Sequence, residues 1–266
     1  MLSDQHLNDV TFAGTAAMVE LYAAMKTELA RLGAPVKMYI GEEDCSKDKR
    51  TPNDAFCHSQ TRALAHSLLS NGLARLGSDF VVGQAPCDQF GAHGRQVVWP
   101  QAQLEFTAST VLWQPPALAQ QMLAAPFIRV GTGPHPAAPK LEVLAVAPAL
   151  FTVSGDNESI VDVLALRRPP PGWPVPRSGS SPALVIRMVN THTGPAAVEL
   201  QFPSEVGFLA PLTSCTTLAC DPLAVNTLDS PAACSPQALP TGATRWHGSV
   251  LNAVLPASSF TMCDLS

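Results

Sequence analysis

The run VKMYIGEED (36–44) carries an apolar, β-prone stretch into acidic residues, with Glu42 and Glu43 directly after Tyr39, Ile40 and Gly41. Short apolar runs of this kind suit buried parallel strands. In a (β/α)8 barrel the chemistry sits at the C-terminal ends of the strands, so Glu42 stands where a catalytic carboxylate would stand. An ionised carboxylate there can act as a nucleophile. In a retaining glycosidase it works with a second carboxyl group, the acid/base, ~5–5.5 Å away. The competing role for Glu42 is to cap the loop that follows. Glu43 beside it would alter its titration if both face one cleft. A second polar cluster, SDQHLND (3–9), holds Asp4 and His6 just before a helix.

Other reactive side chains argue for less. The seven cysteines (45, 57, 87, 215, 220, 234 and 263) form no CxxC pair and have no His at metal-ligand spacing, so no zinc or other metal is expected. Cys215, Cys220, Cys234 and Cys263 could form disulfides in a secreted protein or remain free buried thiols; the odd total leaves at least one thiol unpaired within a monomer. Gly91-Ala92-His93-Gly94 reads as a flexible loop, because no helix N-terminus with Lys follows it. Trp99 and Trp113 read as core or helix anchors. Trp173, in a Pro-rich loop, could stack on a sugar or staple the loop. His192 in NTHTG reads as a turn residue.

The elements that must position Glu42 follow from periodicity. Residues 12–32 place Met18, Leu21, Tyr22, Met25, Leu29 and Leu32 at helical spacing, with Gly33 as the stop and Pro35 beyond it. The strand VKMYIG (36–41) follows. A helix is predicted over 53–76, with Asn53 or Asp54 as N-cap and a stripe of Phe56, Leu64, Leu68 and Leu69. FVVGQ (80–84) is the next strand. This alternation is the rhythm of a parallel α/β fold. Past GTGPHPAAPK (131–140), a linker, the chain turns to short β-branched runs such as LEVLAVAPALFTV, SIVDVLAL and ALVIRMVN, separated by Pro, Gly, Ser and Asn. RRPPPGWPVPRSGSSP (167–182) reads as a long exposed loop, and the strands around it as a β-sandwich or jelly roll.

Of the 266 residues, 46% are apolar, enough for a sizeable core, and only 14% are charged, with a formal net charge of −5. No basic patch points to nucleic acid. No apolar run reaches the ~18 residues of a membrane span. The start, MLSDQHLNDV, lacks the basic and apolar regions of a signal peptide.

Colinear motifs along nearly the whole chain resemble the C-terminal part of the family 51 glycoside hydrolases, the α-L-arabinofuranosidases. That family carries Asp-Glu-His-Tyr-Tyr at one strand end, then a helix and an apolar strand ending Gly-Glu-Tyr, whose Glu is the nucleophile. This chain has Asp4-Gln5-His6, a helix, and Gly41-Glu42. The family's Tyr-Ala-Pro segment is matched by Gln84-Ala85-Pro86. Its Trp-x-Pro-Asp-Leu-Ile-Tyr-Phe run and Pro-led Val-Gln-Gln-Leu helix are matched by Trp99, Leu104, Phe106, Pro115 and Ala119-Gln120-Gln121-Met122. RMVNTHTGPAAVEL (187–200), Ala224-Val225-Asn226-Thr227 with Pro231, and VLPASSFTM (254–262) are similar to segments of the family's C-terminal domain. Departures lie at Leu7, Asn8, Glu43 and Gln84, where the family has Tyr.

The resemblance implies α/β plus all-β architecture: the last strands and helices of a (β/α)8 barrel over 1–130, then a jelly-roll-like β-sandwich over 131–266. It implies Glu42 as nucleophile, with His6, Asp4 and Gln84 contacting substrate, and no cofactor. The implied activity is release of terminal arabinofuranose from arabinan- or arabinoxylan-type polysaccharides by a retaining double displacement. The family's acid/base Glu lies on an earlier strand, so the chain is expected to be a fragment without it and without the first half of the barrel. The substrate class implies secretion, and a homo-oligomer is compatible with all of this. The alternatives are a degenerate carbohydrate-binding protein without catalysis, or a β-sandwich interaction module.

Overall fold

The first helix, α1 (Asp4–Arg31), begins at Asp4 rather than at residue 12, so residues 4–9 of the SDQHLND cluster lie inside it and not ahead of it. Nothing in 4–13 breaks a helix. At the other end Gly33 adopts φ 70° and its N–H donates to Ala30 O (3.0 Å), closing the helix where the sequence places the stop. The computed structural model describes residues 4–33, 39–43, 54–76, 80–83, 87–89, 103–124, 142–144, 150–153, 156–167, 184–202 and 212–265. They divide into two units: Met1–Ala119 with Ala219–Ser235, and Gln120–Leu218 with Pro236–Ser266. The sequence reading drew its division at 130 and placed 219–235 with the β-sandwich.

In the first unit α1 is followed by β1 (Tyr39–Glu43), α2 (Asp54–Cys57), α3 (Gln60–Arg75), β2 (Phe80–Gly83), β3 (Cys87–Gln89), β4 (Leu104–Phe106), β5 (Val111–Trp113) and the start of α4 (Pro115–Ala124). β1 and β2 pair in parallel, so β1–α2–α3–β2 is a βαβ unit. β3 and β4 pair in parallel and β4 and β5 form an antiparallel hairpin. The single helix predicted over 53–76 is broken. Ser59 interrupts it as the N-cap of α3, with its hydroxyl donating to Phe56 O (2.7 Å) and accepting from Arg62 N (3.4 Å).

Helix α3 is buried on nearly every side. It packs on α1, where Leu69 and Leu73 meet Val19, Tyr22 and Leu76. Consequently Met18, Leu21, Met25 and Leu32, expected on the packed stripe, are exposed. The helices meet at Gly72: a Cβ there would lie 2.6 and 2.8 Å from the two methyls of Val19. Gly72→Ala would gain about 1 kcal/mol of helix propensity, but overpacking against a stiff β-branched side chain costs about 1–3 kcal/mol. A net loss of thermal stability is expected, relieved when Val19→Ala is added. Melting curves of the two single variants and the double variant check this.

The second unit holds the rest of α4 and the strands β6 (Glu142–Leu144), β7 (Leu150–Val153), β8 (Asp156–Arg167), β9 (Leu184–Asn190), β10 (Ala196–Gln201), β11 (Leu212–Ala219), β12 (Gln237–Ala238), β13 (Thr244–His247), β14 (Val250–Leu255) and β15 (Ser259–Leu265). One sheet runs β12-β11-β15-β9-β8-β6, with β7 also on β8, and a second runs β10-β14-β13. Val163, Ile186, Met188, Cys215 and Cys263 from the first join Val198, Leu251 and Leu255 from the second in one apolar cluster. Cys215 and Cys263 are disulfide-bonded within it. Asn190 ties two turns together: its Nδ2 donates to Gly194 O (3.1 Å) and Pro256 O (2.7 Å), and its Oδ1 accepts from His192 N (3.0 Å). His192 is thus a turn residue, and its Nδ1 accepts from Gly194 N (3.0 Å). Ser258 holds φ 43° in the second of these turns, its N–H donating to His192 O (2.9 Å).

Arg187 is the charged exception in this unit. It is buried in β9 and its Nη2 donates to Leu123 O (3.0 Å), in the last turn of α4, where a cation suits the helix dipole. Burial pushes its guanidinium down to about 10, so it remains charged at neutral pH. In the register Leu164 faces Arg187 and Asp162 faces Val189, which makes buried Asp162 a diagonal neighbour on the same face. Arg187→Met would leave the Leu123 carbonyl without its charged donor. A loss of about 1–3 kcal/mol is expected, read by urea denaturation.

Candidate functional site

Glu42 lies at the C-terminal end of β1, and the pairing with β2 changes step at this point. Tyr39 faces Phe80 and Ile40 faces Val81, but the next partners are Glu43 and Gly83. Gly41 and Glu42 therefore stand opposite the single residue Val82, a two-against-one irregularity of the β-bulge kind. Bulges re-aim side chains and are over-represented beside active sites. Because the strands are parallel, the ends of β1 and β2 share one edge, with Glu42, Glu43 and Gly83 along it. Of the strand predicted over 36–41, residues 36–38 lie outside the described residues; the strand runs Tyr39–Glu43, so both glutamates are in it rather than after it.

The other candidates are placed less fully. Asp4 and His6 are in the first two turns of α1. Gln84 follows β2 immediately and lies outside the described residues, as do Trp99, Trp173 and the loop 91–94. The structure thus brings the ends of β1 and β2 together. Trp113, expected to be a core or helix anchor, is 38% exposed at the end of β5.

A buried polar network in the same unit went unread in the sequence. His58 Nδ1 lies 3.2 Å from Glu105 Oε1, both side chains 4% exposed. Gln114 Nε2 donates to Glu105 Oε1 (3.3 Å) and to Asn226 O (3.0 Å), and its Oε1 accepts from Asn226 N (3.1 Å). Asn226 Nδ2 donates to Trp113 O (2.7 Å) and Cys234 O (2.8 Å), while its Oδ1 accepts from Cys234 N (2.7 Å). The network joins the α2–α3 junction, the β4–β5 hairpin and the 219–235 segment. The only sequence signal was the position of Gln114 directly before Pro115, an N-terminal boundary where a polar side chain is favoured.

Among the described residues no three His, Cys, Asp or Glu side chains group as a metal ion would require. Among them, too, no helix is long and apolar enough to cross a membrane.

No family model matches the chain, and no curated protein matches it. Its fold does match solved structures. An α-L-arabinofuranosidase from Thermotoga maritima, in an arabinose complex, superposes with a TM-score of 0.59 at 12% identity, over 95% of this chain and 48% of that one. A second arabinofuranosidase gives 0.59 at 10% identity, over 100% of this chain and 50% of that one. A 4-O-α-L-rhamnosyl-β-D-glucuronidase from Fusarium oxysporum gives 0.51 at 11% identity, over 97% of this chain and 49% of that one. The chain spans about half the length of each. What it shares with them is a glycoside-hydrolase-like fold.

Proposed function

We propose that this chain belongs to a retaining α-L-arabinofuranosidase, releasing terminal arabinofuranose from arabinan- or arabinoxylan-type polysaccharides, with Glu42 as the nucleophile. The observation that carries the reading is Glu42 in a β-bulge at the C-terminal edge of a parallel βαβ unit, on a fold of the glycoside hydrolase kind. Glu42 attacks the anomeric carbon and forms a glycosyl ester, which water then opens with overall retention. His6, Asp4 and Gln84 line the sugar site. The substrate is read from the family resemblance and from the arabinofuranosidases among the structural matches. Secretion fits both the polymeric substrate and the disulfides, which persist in oxidising compartments.

The test is hydrolysis of p-nitrophenyl α-L-arabinofuranoside, with the configuration of the released arabinose followed by NMR. Release of the α-anomer first supports the reading; release of the β-anomer first removes the double displacement. A p-nitrophenolate leaves without being protonated, whereas a sugar hydroxyl needs a general acid worth typically ~10²–10⁴-fold. Comparison of the aryl glycoside with arabino-oligosaccharide therefore reports whether an acid/base accompanies Glu42. No turnover of either, with retained binding of arabino-oligosaccharide, would replace the enzyme by a carbohydrate-binding protein.

A further inference from the structure

The 219–235 segment is remote in sequence from the helix it completes. Pro222 O accepts from Thr61 N (2.9 Å) and from the Thr61 hydroxyl (2.9 Å), and Ala224 O accepts from Gln60 N (3.2 Å). Two of the N–H groups that a helix start leaves without intrahelical partners are thus satisfied by this segment. Asn226 fixes its middle, and the Cys220–Cys234 disulfide closes it. Helices α2 and α3 form the crossover between β1 and β2, so what orders the first turn of α3 also steadies the strand pair that carries Glu42.

Cys220–Cys234 and Cys215–Cys263 differ in access. Cys215 and Cys263 are both buried in the sandwich cluster. Cys234 is buried, but Cys220 is partly exposed. We propose that Cys220–Cys234 is a redox latch on the start of α3, opened selectively by a dithiol reductant while Cys215–Cys263 stays closed. A reductant thiolate attacks Cys220 Sγ, forms a mixed disulfide and expels Cys234 as a thiolate, which takes up a proton. The second thiol of the reductant then attacks its own sulfur in the mixed disulfide and releases Cys220 as the thiol. The reductant leaves as a cyclic disulfide, having supplied two electrons. With the loop unclosed, the Pro222 and Ala224 carbonyls withdraw from α3 and its first turn frays. The latch stands whether or not the chain is a glycosidase, because none of its readouts is an activity.

The experiment treats the whole folded chain with limiting dithiothreitol, alkylates the freed thiols and locates them by mass spectrometry, with amide hydrogen exchange measured in parallel. Cys220 and Cys234 are expected to be alkylated before Cys215 and Cys263. Exchange at the Gln60 and Thr61 amides should then accelerate on the order of 100-fold, the scale of loop-closure entropy for a loop of this length. Amides of β9 and β15 should not change. Since Cys57 is also disulfide-bonded, the Cys220→Ala/Cys234→Ala variant, which leaves Cys57 untouched, must show the same acceleration. Simultaneous opening of Cys215–Cys263 would overturn the proposal. So would unchanged exchange at Gln60 and Thr61 once Cys220 and Cys234 are free, or in the double variant.

Discussion

Glu42→Gln is expected to lower kcat on p-nitrophenyl α-L-arabinofuranoside on the order of 10⁴–10⁶-fold, the range seen when the group that makes the covalent bond is removed, with KM changed far less. The amide keeps the shape of the carboxylate but cannot attack the anomeric carbon. Two further measurements make this specific. Glu42→Ala vacates the position, so added azide should restore turnover and yield the β-configured arabinofuranosyl azide, since one displacement replaces two. Glu43→Gln should cost far less, because the bulge falls at Gly41 and Glu42 and not at Glu43. A larger loss at Glu43 than at Glu42 would move the nucleophile by one residue and remove the role given to the bulge.

Asn226→Ala is expected to be the most damaging single change to the stability of the first unit. Its side chain makes three short hydrogen bonds, to Trp113 O, Cys234 O and Cys234 N, in a buried setting. Each partner left buried without a bond costs ~1–3 kcal/mol, so a loss of about 3–5 kcal/mol is expected once relaxation is allowed for. Asn226→Asp should do no better. It keeps an acceptor for Cys234 N but turns the donor toward Trp113 O and Cys234 O into another oxygen. Urea unfolding, followed by amide exchange across residues 60–75 and 111–119, reads both variants. Loss confined to the second unit would contradict the placement of Asn226.

Much of the scaffold was legible because it is local. The αβ alternation, the stop at Gly33 and the strand at 80–83 follow from periodicity and from residues with fixed backbone preferences, while the helix at Pro115 was expected from the family resemblance. The break at Ser59 was not legible. Its neighbours Gln60 and Thr61 donate to carbonyls at 224 and 222, and no local propensity announces a partner that far along the chain. The packed face of α1 was misread for a related reason. Its apolar residues cover more than one face, and the close approach at Gly72, not the pattern on α1, decides which face is buried. At the candidate site, Glu42 was singled out by its position after Tyr-Ile-Gly, but the bulge depends on pairing with β2 and leaves no mark in the sequence. The disulfide pairings are equally non-local: Cys215–Cys263 joins strands β11 and β15, 48 residues apart, and Cys220–Cys234 closes the 219–235 segment.

The first unit is discontinuous, since Met1–Ala119 is completed by Ala219–Ser235. During synthesis the N-terminal part therefore emerges from the ribosome long before the carbonyls that finish α3. At ~5–20 residues per second the wait is on the order of ten seconds. Over that interval the start of α3 lacks the Pro222 and Ala224 carbonyls, and the cysteines at 220 and 234 have yet to be made. Maturation should accordingly be a late event in which oxidation follows docking, and the nascent chain should be a client for holding chaperones until residue 235 has cleared the exit tunnel.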